Sequence, residues 1–333
     1  MDLDAYSTAH AAEWDRLAQL SAIRHLSGAE ADELIEHYQS GASQLSAIRT
    51  TVGDSIPGDR LSLLLSRARL RFTGAPANPL GLIAGYFVLS LPAALFRIRW
   101  LTLVLAAATF LLALVQGWWI AHDPQALAAL SGGDPNSLRT YADQDFVGYY
   151  SASSEAGFTS QVWTNNAWLA AQCIMFGITG LYVPVVLFST SQQLGFSAAI
   201  MNEFGHLDKF FLYIAPHGQL ELYSVFTAAA GGLLIFWSWI APGSRTRSRA
   251  LAENGRAFFT IVGGVALALL VSGLIEGVVT RQEWPWAIKI GIGTVALGAF
   301  IVYQWVWGRR AYRAGQTGDL EEFDAGAREI VDA

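Results

Sequence analysis

Apolar positions divide the chain into two regimes that change near Pro79. Before it, large apolar residues recur at helical intervals among polar ones; after it, they merge into runs. From Leu3 to Leu20, the residues Leu3, Tyr6, Trp14, Leu17 and Leu20 fit one face of an amphipathic helix. Ser27 and Glu30 have capping-box spacing, and behind them Leu34, Tyr38, Ala42, Leu45, Ile48 and Val52 advance by three or four residues, which predicts a second helix. Gly53 with Pro57-Gly58 reads as its stop. A third helix, from about Asp59 to Phe72, carries Leu61, Leu64 and Leu65 together with Arg60, Arg67, Arg69 and Arg71. Three such helices can pack as a small soluble antiparallel unit over residues 1–78, with Thr73-Gly74-Ala75-Pro76-Ala77-Asn78-Pro79 as the link that follows.

Beyond the link, Leu80 to Phe96 is apolar but interrupted by Pro92, and it ends at Arg97 and Arg99. Residues 79–99 therefore read as an interfacial or re-entrant helix, with a full crossing as the alternative, since ~17 residues is the lower limit for spanning. Trp100 to Ala121 is uncharged and ends in Trp118-Trp119, the aromatic pair expected at a headgroup boundary. His122 to about Thr164 is polar and carries Asp123, Asp134, Asp143, Asp145 and Glu155 against the single basic residue Arg139, which suits an outside loop. Asn166 to Thr190 is a second span, stopped by Ser191-Gln192-Gln193. Ile214 to Ile240, Phe258 to Thr280 and Trp286 to Trp307 complete a membrane domain over 100–308, followed by a tail at 309–333. The fold class predicted is all-α: a polytopic helical membrane protein with a small soluble N-terminal helical bundle.

Charge tests the count. Lys and Arg in short loops mark the cytoplasmic side, so Arg245, Arg247, Arg249 and Arg256 should lie inside with Arg309, Arg310 and Arg313. Five crossings from an inside N-terminus would place them outside, so one crossing is missing. The expectation is a broken crossing segment at 191–215, where Leu194–Met201 and Phe210–Ile214 flank a polar stretch; both termini are then cytoplasmic. Composition agrees with a multi-pass protein of the cell membrane whose immediate partner is the lipid bilayer: 53% of the 333 residues are hydrophobic, 14% are charged, and the mean hydropathy is +0.35. A net charge of -6 without a basic stripe argues against nucleic acid as a partner. Cys173 is the single cysteine, which excludes a disulfide framework or thiolate metal cluster within the chain. The N-terminus lacks the basic and apolar regions of a secretory signal.

His217 and Glu221 stand one helical turn apart, after Pro216 at the expected start of a span and around Gly218. Glu276 lies five residues before Arg281, and Glu221 five residues after Pro216 in the preceding, antiparallel span, so both carboxyls are placed ~7 Å inside the same boundary. Carboxyl groups inside a membrane are costly and are paired or functional. Three readings fit: a structural hydrogen-bonded cluster tying two helices, a proton, ion or polar-ligand site, and a metal site in which His217, Glu221 and Glu276 hold Zn²⁺ with water in the open position. Asn165 and Asn166, at the outer start of the second span, could line the cluster or cap their helix. Asn202, Glu203, His206, Asp208 and Lys209 read as solvated loop residues, and Lys289 as a snorkelling one. No nucleotide-binding motif, nucleophile elbow or thiol pair is present, so any chemistry falls to His217, Glu221 and Glu276.

Asn165-Asn166, Pro216-His217-Gly218 with Glu221-Leu222, Gly231-Gly232, and Glu276 before Thr280 resemble the motifs of the stage II sporulation protein M family. The resemblance extends to Trp14 and Glu33-Leu34 through Tyr38, seen in the longer members. It implies an integral membrane component of an envelope-associated complex, non-enzymatic in the leading reading. A transporter or proton-coupled channel and a metal-dependent intramembrane hydrolase are the alternatives. It further implies cytosolic or membrane protein partners, such as a MoxR-type ATPase system or cell-wall remodelling proteins, and is compatible with a homo-oligomer. In endospore formers the family serves engulfment; the extra N-terminal helices imply a different task here.

Overall fold

The structure is a computed structural model that describes residues 2–23, 26–53, 55–73, 79–132, 134–151 and 155–318. Its described elements are all helical. The chain separates into two compact units, Met1–Leu82 and Ile83–Ala333.

In the first unit, α1 (Leu3–Ala22), α2 (Gly28–Thr51) and α3 (Ile56–Thr73) enclose one core. Asp2 caps α1 by accepting from the Asp4 and Ala5 amides. Ser27 and Glu30 make the full reciprocal capping box of α2, and Gly53, at φ +78°, turns the chain out of it. Pro57-Gly58 does not form the stop: α3 already begins at Ile56, because proline tolerates a first turn whose N–H groups have no intrahelical partner. Leu17, Leu20, Leu34, Ile48 and Leu61 are buried, each contributing about 1.5–3 kcal/mol relative to exposure, whereas Val52 stays exposed. Gln44 enters this core because the Trp14 indole N–H donates to it at 2.6 Å and it donates in turn to Glu13. Outside the core, Arg16 grips Glu33 through two 2.7 Å bonds and holds its carboxyl below the usual carboxylate range.

The second unit is built around α11. Its elements are α4 (Pro79–Gly85), which begins in the first unit, then α5 (Leu91–His122), α6 (Pro124–Leu130), α7 (Pro135–Thr140), α8 (Phe146–Gly148), α9 (Glu155–Gly177), α10 (Tyr182–Glu203), α11 (Leu207–Ile240), α12 (Arg247–Leu274), α13 (Trp286–Val302) and α14 (Gly308–Arg313). Among the described residues, π-turns at Tyr86–Ser90, Tyr141–Asp145 and Tyr303–Trp307 join successive helices without ending them, and a fourth at Ile275–Thr280 extends α12 to its end. Among the described residues, five stretches are long and apolar enough to cross a membrane: Ile83–His122, Tyr182–Glu203, Leu207–Ile240, Arg247–Thr280 and Trp286–Arg313. The protein is thus a multi-pass membrane protein. Helix α11 packs against α5, α9, α10, α12 and α13. Backbones approach where small residues face each other: a Cβ on Gly117 would meet the Gly195 carbonyl at 2.9 Å, and one on Gly177 would meet Gly232 Cα at 2.8 Å. Buried hydroxyls do not break these helices, since Thr102, Thr109, Ser224 and Thr227 each donate to the carbonyl four residues back.

Several expected boundaries change. Residues 79–99 form no separate interfacial or re-entrant helix; Ile83–His122 is one helix, and the π-turn before Pro92 absorbs the lost backbone donor that suggested a break. The expected span Asn166–Thr190 is two helices, α9 and α10, separated at Gly180 with φ +68°. The broken crossing at 191–215 is instead helix up to Glu203, a tight turn through Gly205 at φ +76°, and α11 from Leu207. Ser191-Gln192-Gln193 is no stop because Ser191 is buried and bonds the Phe188 carbonyl and Gln116. Pro216 consequently lies well inside α11 rather than at its start. There α13 presses on it: a Cβ on Gly293 would overlap the Pro216 carbonyl. The link at 74–78 and the tail beyond 318 lie outside the described residues.

The Leu20→Ala variant should lose about 2–5 kcal/mol of stability in the first unit, because a fully buried leucine leaves a cavity. Hydrogen exchange over residues 3–73 of the full chain measures this, with exchange over α11 unchanged.

Candidate functional site

The 3.6-residue period sets His217 and Glu221 on one face of α11, and Gly218 between them leaves room on the pocket side. The partner surface is the end of α12. A regular α-helix continues to Leu274, and the π-turn Ile275–Thr280 then carries Glu276 inward and brings Thr280 to the histidine. His217 Nε2 lies 3.7 Å from Glu276 Oε1, and His217 Nδ1 lies 3.2 Å from Thr280 Oγ1. Ligand atoms of His217, Glu221 and Glu276 all fall within 4.8 Å of one another.

Neighbours extend this core. Ser272, one turn before Glu276, donates to the His217 carbonyl at 3.1 Å and reaches Glu221 Oε2 at 3.4 Å. Asn166 on α9 is buried and hydrogen-bonds the Glu221 side chain, so α9, α11 and α12 meet at one point. Asn165 is exposed and takes no part, since the helix turns it about 100° away. The site opens into a cavity of about 500 Å³ lined by His217 and Glu221 on α11, by Gln193 and Ser197 on α10, and by Tyr149 and Tyr150 after α8. The Tyr150 ring stands 6.2 Å from the His217 ring and 5.0 Å from that of Tyr213. Beneath them Lys289 is buried, not snorkelling, with its ammonium 5.0 Å from the Tyr213 ring.

Sequence reasoning missed several of these residues. Ser272 lies one turn before Glu276 and could have been found on that face, as could Thr280 one turn after it. Tyr149 and Tyr150 carry no such signal, because only the packing of the loop after α8 brings them over α11. Among the residues expected to be solvated, His206 bonds Asp143 at 2.8 Å, while Glu203 is exposed.

An all-helical domain with five stretches able to cross a membrane, and a His–carboxylate cluster beside a cavity between its helices, defines a polytopic membrane protein. The description Stage II sporulation protein M matches residues 106–281, just over half of the chain, and the chain belongs to that family. All of Asn165, Asn166, His217, Glu221 and Glu276 fall within the matched stretch. Residues 4–74 match a second family, described as a domain of unknown function. No curated protein and no solved structure matches the chain.

Asn166→Ala should lower the thermal stability of the detergent-solubilised protein by about 1–3 kcal/mol, since it strips a donor from a buried carboxyl group. Asn165→Ala should leave the melting temperature where it was.

Proposed function

We propose that the protein is a membrane component of an envelope-associated assembly, acting by binding rather than by catalysis, with the first unit receiving a partner and the membrane unit presenting the polar pocket. The observation that supports this reading is the pairing of two independently cored units, each matching a different family. A separate three-helix unit with its own core is suited to docking another protein. The family resemblance suggests that partner's class: a MoxR-type ATPase system or cell-wall remodelling proteins.

Orientation follows from counting α9 as a sixth crossing. At 23 residues it is about 34 Å long, enough in length for the hydrocarbon layer, although it is less apolar than the five stretches above. Six crossings put the start of the membrane unit, the Arg245–Arg249 turn and Arg309, Arg310 and Arg313 on one side, which the positive-inside rule assigns to the cytoplasm. The first unit is then cytoplasmic, and the pocket opens on the far side with Tyr141 and Asp145. On this proposal the crossing that charge counting required comes from reading Asn166–Thr190 as two helices, α9 and α10.

Deletion of residues 1–78 should leave the protein in the membrane while soluble partners disappear from a pull-down; recovery equal to that of the full chain would refute the docking role. For topology, cysteine introduced at Ser137 should react with an impermeant reagent applied to intact cells, and cysteine at Ser248 should not. The native Cys173 is buried and gives no background. Outside labelling at Ser248 would overturn the orientation.

A further inference from the structure

We infer that His217, Glu221 and Glu276 form a three-ligand site for a divalent transition metal of the zinc class, with its fourth coordination position facing the cavity. This goes beyond the binding role above and does not depend on it.

The argument is a count of donors and acceptors. Thr280 has one hydroxyl proton, and it donates to the Ile275 carbonyl at 3.4 Å. With its proton so placed, Thr280 accepts from His217 Nδ1–H at 3.2 Å, and in that tautomer the lone pair falls on Nε2. That lone pair faces Glu276 Oε1 at 3.7 Å, an arrangement of two acceptors with no donor between them. The Ser272 hydroxyl divides its single proton between the His217 carbonyl and Glu221. Asn166 supplies one further donor, to Glu221. Among the described residues neither carboxyl group is ion-paired to a lysine or arginine; His217 is the partner of Glu276.

With both carboxyls ionised, a site where His217 and Glu276 are 5% and 4% exposed holds more acceptors than donors, and a bound cation balances them. A divalent ion satisfies Nε2 and both carboxylates together. Bonds of about 2.0–2.2 Å in tetrahedral geometry set ligand atoms roughly 3.4 Å apart, so the 4.8 Å set has to draw in by up to about 1.4 Å, within reach of glutamate side-chain rotation. The Nδ1–H to Thr280 bond is the outer-shell contact that orients a metal-binding imidazole. One nitrogen and two carboxylate oxygens suit zinc better than calcium or magnesium, which favour all-oxygen shells.

The test uses the full chain in nanodiscs, with any affinity tag removed. Elemental analysis should find about one zinc per chain. After chelation, Co²⁺ should restore one ion with the visible absorption of a four-coordinate site. Glu276→Gln and His217→Ala should each weaken Co²⁺ binding by more than ~100-fold, and Thr280→Val by roughly 10–100-fold, while Asn165→Ala should match the wild type. Circular dichroism establishes that each variant is folded. Wild-type protein that neither carries zinc nor takes up Co²⁺ would overturn the site without reference to any variant. Metal retained undiminished in folded Glu276→Gln and His217→Ala would place it elsewhere and overturn the inference equally. Protonated carboxyls alone would give the first of these results.

Discussion

In a bilayer no water is on hand to satisfy a stranded donor or acceptor, and the membrane unit is organised by that constraint. In this unit Thr102, Thr109, Ser224 and Thr227 turn their hydroxyls back onto their own helices. Its amides join helices in pairs: Gln304 accepts from Tyr223 and donates to the Leu95 carbonyl, and Asn254 accepts from Arg97 and donates to Ser238. These contacts leave α11 surrounded by other helices and free to carry polar groups that lipid would not tolerate. In the His217 cluster the same accounting, with both carboxyls ionised, leaves acceptors over, and that cluster borders a cavity.

The pattern of the sequence carried the architecture as far as local rules apply. Capping boxes and apolar periodicity act over a single helix, so Ser27, Glu30, Leu34 and Ile48 were legible, whereas Ala42 and Val52 of the expected face stay exposed and Gly41 and Gln44 are buried in their place. Helix length against bilayer thickness identified the membrane unit. The rules lost accuracy where helices continue through disfavoured residues. Pro92 and Ser191-Gln192-Gln193 read as interruptions and Pro216 as the start of a span, and each is accommodated inside a helix by a tertiary neighbour or a π-turn that single-sequence reasoning does not see.

The candidate site was legible through depth. Glu221 and Glu276 were matched because antiparallel helices fix the height of a residue within the membrane, even though the helix limits used were wrong by several residues. Rotation about the helix axis is a different quantity. It separates Asn166 from Asn165 and buries Lys289, and it is set by packing partners far away in the chain. The same limit kept Tyr149 and Tyr150 out of view.

The π-turn at Ile275–Thr280 makes the site unusually sensitive to chain length. Such a turn amounts to one residue inserted into an α-helix. Loss of a single codon there would restore a regular helix that still spans the bilayer, yet would swing everything beyond it by about 100° and carry Thr280 away from His217. Lineages could therefore discard or regain this centre by one in-frame deletion or insertion, and family members with intact membrane helices would divide sharply into those that keep the cluster and those that have lost it.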